Sequence, residues 1–94
     1  MPKEVRFRVG RALMALQRGY PLGMPLSRPM PSIGAGVAEL RVRDIDGQHR
    51  VFYWLGHSKD ILVLRAFHKK SRQTPQAEIV LARRRLKELV NERP

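Results

Sequence analysis

The segment AFHKKSRQTP, residues 66–75, carries the residue types most suited to chemistry in this chain. Its basic and titratable side chains are His68, Lys69, Lys70 and Arg72. Arginine binds a phosphate group through two parallel N–H donors, and a lysine among other cations can have a lowered pKa and exchange protons. Histidine titrates near neutral pH. The segment therefore predicts phosphate binding with proton transfer beside it.

Three further arginines lie on the first two of the predicted strands. The stretch VAELRVRD alternates, with Ala38, Leu40 and Val42 on one side and Glu39, Arg41 and Arg43 on the other. The next strand carries Arg50. Adjacent strands of a meander run antiparallel, so the end of the third strand lies beside the start of the second. We therefore expect Arg50 and the basic segment to share one end of the sheet.

Such a set of side chains is sufficient for RNA cleavage. The ribose 2′-OH is a built-in nucleophile, so the protein must remove its proton, stabilise the crowded phosphate and protonate the leaving 5′ oxygen. Phe52, Tyr53 and Trp54 offer rings on which a base could stack, although such side chains in a strand more often belong to the core. His68 is either a phosphate contact or an ordinary loop side chain.

Other kinds of site find little support. The chain has no cysteine, which excludes a disulfide framework and a thiolate metal site. The histidines lack zinc-motif spacing, the carboxylates suit turns and surface pairs, and the serines lack a neighbouring base. These residues are His49, His57, His68, Glu39, Asp44, Asp46, Ser58 and Ser71. No phosphate-binding glycine loop is present. We therefore predict neither a metal nor a cofactor.

The charge of the chain points to a polyanionic partner. Nineteen Lys and Arg against 8 Asp and Glu give a net charge of +11 over 94 residues, whereas solubility usually needs a net charge of only about 2–8. RNA, DNA, ribosomes, acidic proteins and anionic membranes all suit such a field. No apolar run approaches the roughly 20 residues of a membrane span, and the basic N-terminus lacks the apolar core of a signal peptide. We predict a cytoplasmic protein with no membrane partner.

Residues 2–18 are predicted to form a helix that ends at Gly19. Its expected buried face consists of Val5, Val9, Ala12, Leu13 and Leu16. Phe7 and Met14 fall on the opposite side among Lys3, Arg11 and Arg18. Two apolar side chains among cations indicate either a partner interface or a missing neighbour.

Residues 19–36 contain four prolines and four glycines, which rule out a regular helix or a central strand. We predict an ordered wrap held by Leu22, Leu26, Met30 and Ile33. Three strands should follow over residues 37–44, 49–55 and 61–67, with a turn at Asp46–Gly47.

A final helix should have Thr74 as its N-cap and Pro75 as its first residue. Its expected buried face is Ile79, Ala82, Leu86, Leu89 and Val90. The whole predicts a single α+β domain over residues 1–94, in which a three-strand antiparallel meander carries both helices on one face.

Several of these motifs together resemble a known family, the phage-derived HigB-like toxins of the RelE/ParE superfamily, which belong to bacterial type II toxin–antitoxin modules. The matching residues are Glu39-Leu40-Arg41, His49-Arg50 with Tyr53, and Leu64, Ala66, Phe67, Lys69, Lys70, Thr74 and Pro75. The end of the predicted first helix, from Leu13 through Gln17 to Gly19, also matches. The resemblance extends over about residues 3–90.

The resemblance implies a twisted antiparallel sheet and an mRNA endonuclease, commonly ribosome-dependent, that a helix-turn-helix antitoxin silences in a hetero-oligomer. It places Arg50, Lys69 and Lys70 in the active site, with Arg41 and Arg72 as phosphate contacts. We add Arg43 and His68 to the RNA-binding set from the residue patterns above, with Tyr53 and Trp54 as stacking candidates. The family often has Gln at the position of His68, so an acid–base role for His68 is not implied.

The chain departs from the family pattern at its start. Family members usually begin with a β-strand and the first part of a helical hairpin, whereas this sequence begins inside the helix. We expect the N-terminal strand to be absent and Phe7 and Met14 to be uncovered, which makes them candidates for antitoxin contact.

The predicted function is therefore that of a toxin acting as a metal-independent endoribonuclease on ribosome-bound mRNA. Two alternatives remain open at this level. One is a ParE-like toxin that poisons DNA gyrase without nuclease activity. The other is a degenerate toxin remnant that only binds nucleic acid.

Overall fold

Residues 1–45, 47–56, 60–70 and 73–92 are described by a computed structural model, the side chain of Glu92 excepted. The elements in chain order are α1 Lys3–Gln17, β1 Ser27–Pro29, β2 Val37–Asp44, β3 Gly47–Leu55, β4 Ile61–Lys69 and α2 Gln76–Glu92. The four strands form one antiparallel sheet in the order β1-β2-β3-β4. The α+β class is confirmed, with four strands in place of the predicted three. Asp46, His57, Ser58, Ser71 and Arg72 lie outside the described residues.

The central hairpin follows its prediction closely. β2 has the predicted bounds, and it pairs with β3 so that Leu40 lies opposite Val51 and Arg41 opposite Arg50. β3 starts two residues before the expected start, at Gly47, whose φ of 132° favours glycine. A Cβ on Gly47 would lie 2.6 Å from His68 Nε2, so this close approach also requires glycine.

β4 is longer than its apolar pattern predicted. It runs to Lys69, two residues beyond Phe67, so His68 and Lys69 belong to the strand and not to the following loop. Lys69 pairs with Gln48 of β3, and His68 pairs with His49 of the same strand. The strand pairing therefore fixes the direction of both side chains, one to each face of the sheet.

The proline-rich segment contains the strand that the sequence did not predict. β1 pairs with the outer side of β2, with Ser27 opposite Leu40 and Pro29 opposite Ala38. Proline is tolerated there because an edge strand does not need every N–H for pairing. Met30 and Ile33 are buried as expected, and Leu22 packs beside α1, whereas Leu26 is 38% exposed.

The two helices lie on opposite faces of the sheet, so the prediction that both cover one face is wrong. Val51 and Tyr53 of β3 pack in one cluster with Val5 and Leu16 of α1. The intervening residue Phe52 packs in a second cluster with α2. Successive strand residues point to opposite faces, so each helix covers a different one.

The predicted buried faces of the helices are largely confirmed. All five α1 residues lie in the first cluster, and α1 ends before Gly19, whose φ is 90°. In α2, Ile79, Ala82, Leu86 and Leu89 pack in the second cluster, whereas Val90 is 41% exposed.

The start of α2 differs by one residue from its prediction. The carbonyl of Pro75 accepts the first helical hydrogen bonds, so Pro75 stands where Thr74 was expected. Neither described helix is long and apolar enough to cross a membrane.

Candidate nucleic-acid interface

One face of the sheet gathers cations from all four strands. The register places Arg28 beside Glu39, Arg41 beside Arg50, and Gln48 beside Lys69. We call the side chains of Arg28, Arg41, Arg43, Arg50 and Lys69 the cationic face. It lies on the same side of the sheet as α2, at the end that α2 leaves open, because α2 packs over Phe52 and Trp54 instead. The predicted proximity of Arg50 and Lys69 is thus observed.

A buried carboxylate lies at the centre of the cationic face. Glu39 is 1% exposed, and its Oε1 lies 3.5 Å from Arg50 Nε and 3.8 Å from both Arg28 Nη2 and Arg41 Nε. The hydroxyl of Thr74, just before α2, donates to Glu39 Oε2 at 3.3 Å. This role differs from the surface pairing that the sequence pattern predicted for Glu39. The available signal was its alternation with Arg41 and Arg43 on one strand face.

Arg50 is the most deeply buried cation of this group, at 2% exposure. Its Nη2 donates to Gln48 Oε1. Its Nε and the facing Glu39 Oε1 are buried, and neither has a hydrogen-bond partner in the described part of the chain. Burial lowers the pKa of Arg50, and the Glu39 charge opposes that shift. The guanidinium is held by an ion pair whose hydrogen bonding is incomplete.

Lys69 is buried at the end of β4, with 8% of its surface exposed. Burial first, and then the Arg50 charge, lower the pKa of its ammonium group. A lysine whose pKa is lowered can release and recover a proton more readily near neutral pH. Lys70 follows the strand and is exposed, so only Lys69 of the predicted pair is built into the sheet.

A cavity of about 410 Å³ opens where the cationic face meets α1. It is lined by Arg8, Pro25, Leu26, Arg41, Arg43, Gln48 and Arg50. Arg8 reaches it from α1, where its Nη1 donates to the carbonyl of Arg43 at 2.8 Å. No local pattern singles out Arg8, because it joins the others only through the fold. Four guanidinium groups around one cavity can bind a phosphodiester through several charge-assisted hydrogen bonds.

His68 does not join the cationic face. It lies on the α1 side of the sheet, where its ring stacks on His49 at a centroid distance of 4.9 Å. His49 Nε2 lies 3.3 Å from Asp44 Oδ1. His68 therefore lines a different cavity, of about 530 Å³, apart from the other described phosphate-contact candidates, and its role in RNA binding stays a prediction.

Neither predicted stacking residue lies at the 410 Å³ cavity. Tyr53 is 3% exposed, and its hydroxyl lies 2.7 Å from Ser27 Oγ, so no ring face is free for a base. Trp54 is half-buried against the α2 cluster and lines a separate groove with Arg83 and Lys87. Both aromatic side chains pack in the core, which is the more common role of such residues in a strand than base stacking.

The predicted antitoxin contacts are exposed. Phe7 is 65% and Met14 51% exposed on the outer side of α1, and Arg11 lies over the Phe7 ring at 5.9 Å. Among the residues that the structure describes, no three His, Cys, Asp or Glu side chains come together to form a metal site.

Residues 1–87 match the family described as "Phage derived protein Gp49-like (DUF891)". The chain belongs to the Gp49-like family. No curated protein and no solved structure matches it. The Gp49-like match includes every residue of the cationic face and of the 410 Å³ cavity, so the candidate site lies within the matched part of the chain.

Proposed function

We propose that this Gp49-like protein is the toxin of a type II toxin–antitoxin module, a HigB-like member of the RelE/ParE superfamily. It cleaves ribosome-bound mRNA in the cytoplasm without a metal ion, and a helix-turn-helix antitoxin silences it. The observation that carries this proposal is the cavity lined by four arginines, together with the buried Lys69, which pairs with the cavity-lining residue Gln48.

The site residues suit cleavage by the RNA's own 2′-OH. Arg41, Arg43 and Arg50 bind the non-bridging oxygens of the scissile phosphate and stabilise the charge that develops there. The 2′ oxygen bonds to phosphorus after losing its proton, and the bond from phosphorus to the 5′ oxygen breaks. The products are a 2′,3′-cyclic phosphate and a 5′-hydroxyl. Lys69, whose pKa is lowered by burial, exchanges the proton, and the exposed Lys70 contacts the RNA backbone.

Cleavage of mRNA in a translating extract tests the proposal. Primer extension should show cuts with the wild-type protein. Arg50→Gln and Lys69→Gln should each lower the cleavage rate by roughly 100-fold, because each removes a group that stabilises or protonates the transition state. Arg84→Gln is the matched control, since Arg84 is exposed on α2 and does not line the cavity.

Two results would contradict the proposal in different ways. Cleavage by Arg50→Gln and Lys69→Gln at the wild-type rate would show that the active site is elsewhere. If the wild-type protein leaves mRNA intact and blocks supercoiling by DNA gyrase, the ParE-like alternative is correct.

A further inference from the structure

The buried carboxylate of Glu39 lies beneath the arginines that the proposed function requires. Arginine side chains on three strands approach it, and the Thr74 hydroxyl donates to its second oxygen from just before α2. Its surroundings are Arg28, Arg41, Arg50, Lys69 and Thr74. A carboxylate at 1% exposure is retained only where cations and hydrogen-bond donors compensate for its desolvation.

Binding alone gives no reason for a carboxylate at this point. A negative charge 3.5–3.8 Å from three arginine nitrogens repels the phosphate that these arginines attract. A neutral side chain of the same size would leave the cavity more cationic and would improve its affinity for RNA. Glu39 compensates part of the charge of the buried Arg50 and Lys69, and its contacts are also placed to orient the arginines.

The geometry points to Glu39 as a positioning residue for the cleavage reaction, which holds the Arg50 guanidinium toward the 410 Å³ cavity. Glu39 Oε1 faces Arg50 Nε at 3.5 Å, and Gln48 accepts from Arg50 Nη2. The Glu39 charge attracts the Nε side of the guanidinium, and the Gln48 hydrogen bond anchors Nη2, so together they restrict the orientation of the group. This inference rests on the proposed function, because the arrangement matters for a transition state more than for binding.

The substitution Glu39→Gln separates positioning from binding. It keeps the size of the side chain and removes its charge. We expect kcat to fall about 10- to 100-fold, the scale of a misplaced catalytic group. The affinity for a non-cleavable 2′-deoxy RNA analogue should be equal to or greater than that of the wild-type protein, because the cavity loses a negative charge.

The pH profile of cleavage provides a second readout. The Glu39 charge raises the pKa of Lys69 against burial and Arg50, which lower it. Loss of that charge should shift the alkaline limb of the cleavage profile to lower pH. A residue that served only the fold would lower the active fraction equally at every pH.

The matched control is Glu78→Gln, which removes the α2 carboxylate that pairs with Arg65 of β4. Arg65 Nε donates to Glu78 Oε2 at 2.5 Å, and neither residue lines the 410 Å³ cavity. Glu78→Gln should leave kcat, RNA affinity and the pH profile unchanged. If Glu39→Gln does not fold, Thr74→Val replaces it, because it removes only the hydroxyl on Glu39 Oε2. The expected loss of kcat is then several-fold.

NMR of the arginine Nε–H groups tests the positioning without any cleavage. The Arg50 signal should be protected from solvent exchange in the wild-type protein and lose protection in Glu39→Gln, while the Arg65 signal stays unchanged. Persistence of Arg50 protection, or a parallel loss of kcat and RNA affinity, overturns the inference. If the wild-type protein does not cut mRNA, the proposed function fails, and the Arg50 signal alone then decides whether Glu39 positions it.

Discussion

Burial of positive charge is the main feature of the site at the scale of single residues. Arg50 and Lys69 are 2% and 8% exposed, and burial lowers the pKa of each. The folded state therefore disfavours the charged forms, and one carboxylate, Glu39, compensates only in part. Such a cluster reduces the stability of the fold and is retained at functional sites, where unusual electrostatics serve the chemistry.

Replacing Lys69 by methionine should stabilise the fold and abolish activity. Lys69→Met removes a buried ammonium group and keeps a long apolar chain, so it should raise the free energy of unfolding at pH 7 by about 1 kcal/mol. The same variant should lose RNA cleavage. Urea denaturation followed by circular dichroism gives the free energy.

The stability gain should depend on pH in a defined direction. The folded-state pKa of Lys69 lies below its ordinary value of 10.5, so between the two pKa values the unfolded chain binds more protons. Wild-type stability therefore rises with pH through that window, and the advantage of Lys69→Met should shrink. A gain that stays constant up to pH 10.5 would show that desolvation of the ammonium group is not its cause.

At the scale of elements, α1 has two apolar faces that differ in burial. Its buried face packs on the sheet, whereas Phe7 and Met14 lie outside among basic residues. Gly10 lies between them, and nothing lies within 4 Å of the position its Cβ would take. The resulting notch between two apolar side chains suits an apolar residue of a partner helix, and the basic residues suit acidic flanks.

The double substitution Phe7→Ser/Met14→Ser should abolish binding of the proposed antitoxin without damaging the fold. Both side chains are more than half exposed, so the free energy of unfolding should change by less than about 0.5 kcal/mol. Co-purification with the co-expressed antitoxin measures binding. The control, Val80→Ser, changes an exposed apolar residue on α2 and should leave binding intact. Retained binding by the double variant would place the antitoxin elsewhere.

The sequence predicted the elements better than their arrangement. The β2 pattern and the α1 spacing were sufficient because each has a clear period, whereas β1 was missed because the prolines of the segment around it are typical of a loop. A buried face on each helix does not say which face of the sheet it covers. The signal was in β3, where consecutive apolar residues from Val51 to Trp54 require cover on both sides.

The residues of the site were likewise predicted better where they lie on one strand or on paired strands than where the fold brings them together. Alternation predicted that Arg41 and Arg43 share a face, and the antiparallel pairing predicted that Arg50 lies near Lys69. Arg8 could not be predicted, because it reaches the cavity only after α1 has packed on the opposite face. The direction of His68 depended on where β4 ends, and no proline or glycine marks that end.

At the scale of the whole molecule, the net charge of +11 should make RNA binding strongly dependent on salt. Each phosphate contact that a cation makes releases condensed counterions, so the logarithm of the affinity for single-stranded RNA should fall with the logarithm of salt concentration at about 0.7 per contact. Overall charge attracts RNA from a distance, but only cations in contact with phosphates contribute to this slope. The slope therefore distinguishes the contribution of the cavity arginines to RNA binding from that of the overall charge.

Arg41→Gln and Arg43→Gln should each reduce that slope by about 0.7, and together by about 1.4, because each removes one phosphate contact in the cavity. Fluorescence anisotropy of a labelled 2′-deoxy oligonucleotide analogue over a series of salt concentrations gives the slope. Arg84→Gln lowers the net charge by the same unit, but its side chain does not line the cavity, so it should weaken binding slightly and leave the slope unchanged. An equal reduction of the slope by all three variants would mean that RNA binds through the overall positive charge of the molecule. The cavity would then not be the binding site.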